Sequence, residues 1–143
     1  MAATRARLAL ETVTGEGLHF LATNDKGQTL ALDSGPAATA PNPMEALLAA
    51  LGACAGMDVI SILRKKRQQV SGYAIELVGQ RQDEHPRSYT AIEVVHRVTG
   101  RGLTKAAVED AIRLSESKYC SVHATLAPAV PITSRFEIID ESA

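Results

Sequence analysis

Tryptophan is absent, and the only aromatic residues among 143 are three tyrosines and two phenylalanines. Base-stacking platforms need aromatic side chains, so this scarcity argues against a surface for single-stranded nucleic acid. An excess of one charge is lacking too. Fifteen Lys and Arg stand against sixteen Asp and Glu, for a net charge of −1, whereas a general nucleic-acid binder carries a basic surplus. With 45% hydrophobic residues, the composition is also not that of a disordered chain. The opening MAATRARLALETVTGEG has no apolar stretch of signal-peptide length. The longest uninterrupted apolar run, Ala46–Met57, falls short of a bilayer and predicts a buried core helix. The expectation is a cytoplasmic protein with neither nucleic acid nor membrane as partner. Cysteine is scarce: Cys54 and Cys120 are the two, too few for a disulfide framework in a reducing compartment. They are either inert core residues or chemistry.

The length suits a single domain over residues 1–143, with a core that must be aliphatic and alanine-rich. RARLALET (5–12) alternates, placing Ala6, Leu8 and Leu10 on one face and Arg5, Arg7 and Glu11 on the other, as a half-buried strand does. LHFLA (18–22) and QTLALD (28–33) are further strands, and Asn24-Asp25-Lys26-Gly27 between them is a hairpin signal. After the Gly-, Ala- and Pro-rich loop 34–43, Asn42 and Pro43 suit the start of a helix. That helix runs over Met44–Leu63, apolar nearly all round, and ends in the cationic run Arg64-Lys65-Lys66-Arg67. This run is read as a solvated helix end. Residues 72–81 and 89–98 alternate as a second hairpin. Thr104 caps a helix over 105–118, with Leu103 and Val108 as a hydrophobic staple. A short helix over 119–126 and a last strand over 132–139 follow. The order β-β-β-α-β-β-α-α-β predicts an α+β fold. The central helix is too apolar to stay half-exposed in so small a monomer, which points to a dimer.

Two segments carry candidate chemistry. In ALGACAGMD, Cys54 sits mid-helix among Gly52, Ala53, Ala55 and Gly56, which leave room for a substrate or a second sulfur. Free cysteine is also among the most buried residue types, a small hydrophobe. In SESKYCSVHATL, Cys120 has Lys118 close by and His123 three residues on. Nearby cations lower a thiol pKa, and the thiolate is the reactive form; the alternative is that both side chains face solvent. Together the cysteines suggest a peroxidatic–resolving pair, provided the fold brings the sulfurs into reach. His19, His85, His96 and His123 match no zinc spacing. His96 shares a strand face with Ile92, Val94 and Val98 and is expected to be a satisfied core histidine. Phosphate loops, Ser–His–Asp signatures and paired-carboxylate motifs are absent.

An N-terminal meander, then NPMEALLAALGACAGMDVISILRKKRQ, then SESKYCSVHATL before a terminal strand, resembles the OsmC/Ohr superfamily, and within it the YhfA-like branch. The resemblance covers about residues 5–139 and implies an OsmC-like α+β fold in an intertwined homodimer. It implies a thiol peroxidase acting on organic hydroperoxides in oxidative-stress defence. Cys54 would attack, Cys120 would resolve, and a dithiol such as a lipoylated protein would supply reducing equivalents, with no metal or organic cofactor required. Two departures follow from the same comparison. The glutamate that peroxidase members carry after Asn-Pro is here Met44, and Glu45, the remaining helper candidate, stands one residue later, about 100° round the helix. The arginine expected after the first strand is missing from Thr12–Phe20. A second reading is therefore a non-catalytic dimeric binding protein, whose pocket near Leu47, Leu51 and Met57 holds a small apolar or thiol-reactive ligand.

Overall fold

The second half of the chain is organised by one long strand. In the computed structural model, which describes residues 3–141, β5 (Tyr89–Arg101) is paired on both sides. It runs antiparallel to β4 (Gln69–Arg81) and parallel to β6 (Ile132–Asp140), with Val98 opposite Tyr73 on one side and Ile138 on the other. A strand with neighbours on both edges can be apolar along its length, and in β5 Ile92, Val94, Val95, His96 and Val98 are all buried. The parallel pair β5–β6 needs a crossover. It is made by α2 (Lys105–Leu114), a single π-helical turn (Ser115–Tyr119) and α3 (Ser121–Leu126). Thr104 caps α2 as expected, its Oγ1 accepting from the Ala107 N–H at 3.2 Å.

The first three strands, β1 (Ala6–Leu10), β2 (Phe20–Asn24) and β3 (Thr29–Leu32), form a separate antiparallel meander. Its β2–β3 turn is the predicted Asn-Asp-Lys-Gly hairpin. Gly27 takes φ +76°, a left-handed value that favours glycine. The central helix α1 covers Pro43–Lys65. It opens with a capping box: Asn42 Oδ1 accepts from the Glu45 N–H at 2.8 Å, and Glu45 Oε1 accepts from the Asn42 N–H at 3.0 Å. By internal contacts the chain divides into two compact units, one through Leu47 and one from Leu48 on.

In the unit from Leu48 on, Val59 and Leu63 of α1 pack with Val98 of β5 and with Ala107, Val108, Ala111 and Ile112 of α2. This is the aliphatic, alanine-rich core expected. Burying a leucine such as Leu63 completely is worth about 2–3 kcal/mol. Gly52 and Gly56 lie against β4: a Cβ on Gly52 would meet Leu77 Cδ1 at 2.5 Å, and one on Gly56 would meet Ile75 Cδ1 at 2.7 Å. The outer stripe of α1 stays open, with Met57 70% exposed. At 23 residues, α1 is also long and apolar enough by composition to cross a membrane. The uninterrupted run 46–57 understated it, because Asp58 breaks the run without breaking the helix; core helices of soluble proteins reach the same length and composition.

Two local corrections bear on the site. The helix expected over 105–118 is α-helical only to Leu114, and the π-helical turn follows. Cys120, expected inside a helix over 119–126, instead has extended backbone (φ −77°, ψ 101°) as the N-cap of α3.

Candidate functional site

Cys54 and Asp58 stand four residues apart on α1, so their side chains leave the helix on one face. Cys120 reaches that face from the junction between the π-helical turn and α3. The two sulfurs and an Asp58 carboxylate oxygen all lie within 4.8 Å of one another. Both cysteines are free; Cys54 is half-buried and Cys120 is buried, at 3% exposure. The structure thus brings together the two cysteines singled out in the sequence, and adds a carboxylate that sequence reasoning passed over. The signal for it was present in the C-x-x-x-D spacing.

Two hydrogen bonds hold this arrangement. Ser115 Oγ, on the first residue of the π-helical turn and 1% exposed, donates to Asp58 Oδ2 at 2.9 Å. The His123 backbone N–H donates to Cys120 Sγ at 3.3 Å. The π-helical turn matters here: widening one turn shifts the residues after Ser115 relative to an α-helical continuation, so that Cys120 becomes a cap facing α1.

The electrostatics decide between the two sequence readings of Cys120, in which Lys118 and His123 either lower its pKa or face solvent. Burial, and then a hydrogen bond with the Cys54 thiol, push it up to about 11, against the lowering pull of the His123 N–H; the charges of Cys54 and Asp58 add to the rise. Lys118 does not oppose this, since its Nζ lies over the Tyr119 ring, 5.3 Å from the centroid.

A part-buried polar pair joins β4 to β5. Tyr73 Oη and His96 Nδ1 are 2.6 Å apart, with the rings nearly parallel. Burial pushes His96 down to about 4 and raises Tyr73, the latter with help from Asp58. The imidazole is therefore neutral at pH 7 and shares one hydrogen bond with the tyrosine hydroxyl. This is the satisfied core histidine that the strand pattern implied. His96, Ser115, Cys120 and Glu116 border one cavity of about 10 Å³, roughly the room of a single water. Glu116 Oε1 is buried there with no hydrogen-bond partner among the described residues.

The other sequence candidates lie as follows. The Glu45 carboxylate accepts the Asn42 N–H in the capping box. Arg5 and Arg7, the arginines nearest the expected position, pair with Asp25 at 3.6 and 3.1 Å. Met57 lines an open apolar groove of about 470 Å³ between α1 and β4, with Gly52, Gly56 and Ile60 on its helix side and Tyr73, Ile75 and Leu77 on its strand side. Leu51 is buried, at 1% exposure, and borders the small cavity with Cys120 instead.

Comparison with known proteins gives the family. The family model described as OsmC-like protein matches residues 35–135. The Escherichia coli protein YhfA is 44% identical over 124 residues, which cover 87% of this chain and 92% of the relative. A hypothetical protein from Aquifex aeolicus superposes with a TM-score of 0.80 at 32% identity, covering 98% of this chain and all of its own. The organic hydroperoxide resistance protein OhrB of Bacillus subtilis superposes with a TM-score of 0.62 over 95% of this chain and 98% of its own. At 15% identity, that likeness is one of fold. The chain belongs to the OsmC/Ohr superfamily, in its YhfA-like branch.

Proposed function

We propose that the protein is a cytoplasmic, homodimeric thiol peroxidase that reduces hydroperoxides with the Cys54–Cys120 pair. The observation that carries this reading is the convergence of two free thiols, from positions 54 and 120, within 4.8 Å. Family membership supports a peroxide-related redox role, and a structural neighbour is named for organic hydroperoxide resistance. The difference in exposure supports the division of roles. Cys54 is half-buried, whereas Cys120 is buried, so the more accessible Cys54 is the one to meet peroxide. The Cys54 thiolate attacks the O–O bond, the peroxide leaves as its alcohol, and Cys54 becomes a sulfenic acid. The Cys120 thiol condenses with it, releasing water and closing a disulfide. A dithiol reductant then returns both thiols, taking the disulfide itself. The open face of α1 is where a second copy of the chain would cover apolar surface.

The test is a titration of the reduced protein with an organic hydroperoxide and with hydrogen peroxide, followed by mapping of both cysteines by mass spectrometry. Rapid Cys54–Cys120 disulfide formation is expected, faster with the organic peroxide. Cys54→Ser should consume no peroxide, and Cys120→Ser should stop at the sulfenic acid. Glu45→Gln should react at the parent rate, because glutamine keeps the capping box. A Cys54→Ser protein as active as its parent would end this reading.

One observation favours a second reading. The groove along Gly52, Gly56 and Met57 is apolar, as suits a protein that holds a small apolar ligand without turnover. Thiols that survive excess peroxide, together with a thermal shift on adding such a ligand, would favour it.

A further inference from the structure

The proposed peroxide chemistry uses two sulfurs and leaves Asp58 without a task. Asp58 nevertheless places its carboxylate within 4.8 Å of both sulfurs. Three groups that each become negative on losing a proton therefore converge in a largely buried place. Among the described residues, no Lys or Arg pairs with Asp58. Lys65 and Lys66 line a surface depression beside it, but Lys66 pairs with Asp110 at 2.8 Å. Like charges gathered away from water are costly unless protons or a cation neutralise them.

We propose that Cys54 Sγ, Cys120 Sγ and the Asp58 carboxylate form a three-donor site for a zinc-class divalent cation. Two thiolates and one carboxylate are a donor set for zinc; magnesium and calcium need six or more oxygens. In a tetrahedral site with metal–sulfur bonds near 2.3 Å, ligand atoms lie roughly 3.5–4 Å apart, which fits inside the 4.8 Å span here. Three protein ligands leave a fourth position for water or an added ligand. Supporting hydrogen bonds are already in place, from Ser115 Oγ to the carboxylate and from the His123 N–H to Cys120 Sγ. Such outer contacts orient ligands. Asp58 also borders a surface depression of about 360 Å³ with Ser61, Lys65, Lys66 and Tyr119. Binding displaces the two thiol protons and changes no oxidation state. Held this way, the sulfurs are unavailable to peroxide.

The test uses the full-length protein, reduced and free of oxygen, titrated with Co²⁺ as a spectroscopic probe and then with Zn²⁺ against a chromophoric chelator. No peroxide is present, so the result is independent of the proposed peroxidase activity. The expected result is one cation per chain, with sulfur-to-cobalt charge-transfer absorption and tetrahedral d–d bands, both displaced by Zn²⁺. Cys54→Ser and Cys120→Ser should each weaken binding by about 100-fold or more and remove part of the sulfur absorption. Asp58→Asn, close in shape and able to fold, should weaken it by about 100-fold, and Ser115→Ala by about tenfold. The absence of sulfur-to-cobalt absorption would overturn the proposal. So would binding to a correctly folded Asp58→Asn protein with parent affinity.

Discussion

In the meander of β1, β2 and β3, Leu8, Leu18 and Leu30 or their neighbouring turns leave apolar side chains more than half exposed, while in the unit from Leu48 on, Val59, Leu63, Val98 and Val108 are sealed from water. Among the described residues through Leu47, the one buried residue is Asp33. It is held by polar contacts, accepting from the Ser34 N–H at 2.7 Å and the Thr39 N–H at 3.1 Å, and bonding His19 Nδ1 at 3.0 Å. One unit is thus organised round a carboxylate and the other round an aliphatic core. The difference follows from reach. A meander joins neighbours in sequence through backbone hydrogen bonds and short turns, and three short strands cannot seal their own apolar face. The β4–β5–β6 sheet is covered by α2 of its own crossover and by α1, whose Val59 and Leu63 pack with Val98.

The largest expected effect tests that contrast at the core. Leu63→Ala should cost about 2–5 kcal/mol in chemical denaturation, by lost burial and the cavity left behind. A cost below about 1 kcal/mol would mean the second unit is not held by this cluster.

The pH dependence separates the two units next. His96 is held down to about 4 by burial, below the usual 6.5 of the unfolded chain. The unfolded state therefore takes up the proton first. Stability should be complete above pH 6.5 and fall as the pH drops from 6.5 towards 4, by about 3 kcal/mol at most. Asp33 is shifted below 3.8, first by its hydrogen bond with His19 and then by the Thr39 and Ser34 N–H groups. Its contribution is present above pH 3.8 and lost only as the pH falls through the lowered value. Urea midpoints across this range should show the first loss in both the parent and Asp33→Asn. A flat profile between pH 7 and 4 would show that His96 is not held neutral.

The smallest effect sharpens the comparison most. Leu30 is 55% exposed, so Leu30→Ala should cost an isolated chain no more than about 0.5 kcal/mol. With a homodimer as part of the proposed function, the same change should raise the concentration at which the dimer dissociates. Sedimentation of both proteins over a dilution series would show it, and identical dissociation would mean the meander face is not part of the interface.

Much of this was readable in advance. Local signals carried the elements: Asn24–Gly27 for the hairpin, Asn42 and Pro43 for the start of α1, Thr104 for α2, and two-residue alternation for β4 and β5. The site was readable only in part. Cys54 and Cys120 stood out because two cysteines are too few for a disulfide framework and leave few other uses. Asp58 did not, since an aspartate after an apolar run looks like the end of that run. Ser115 did not either, because nothing in SESKYC marks a π-helical turn.

By itself, then, the sequence determined the order of strands and helices, the aliphatic character of the core and the two residues on which sulfur chemistry would rest. These depend on periodicity, capping and residue type, which act over a few neighbours along the chain. Only the tertiary structure decided that Cys54, Asp58 and Cys120 share one place, that the Cys120 thiol is pushed up rather than down, and that Tyr73 satisfies His96. Those outcomes depend on distances between residues far apart in the chain and on the loss of water around them, and neither is written in local pattern.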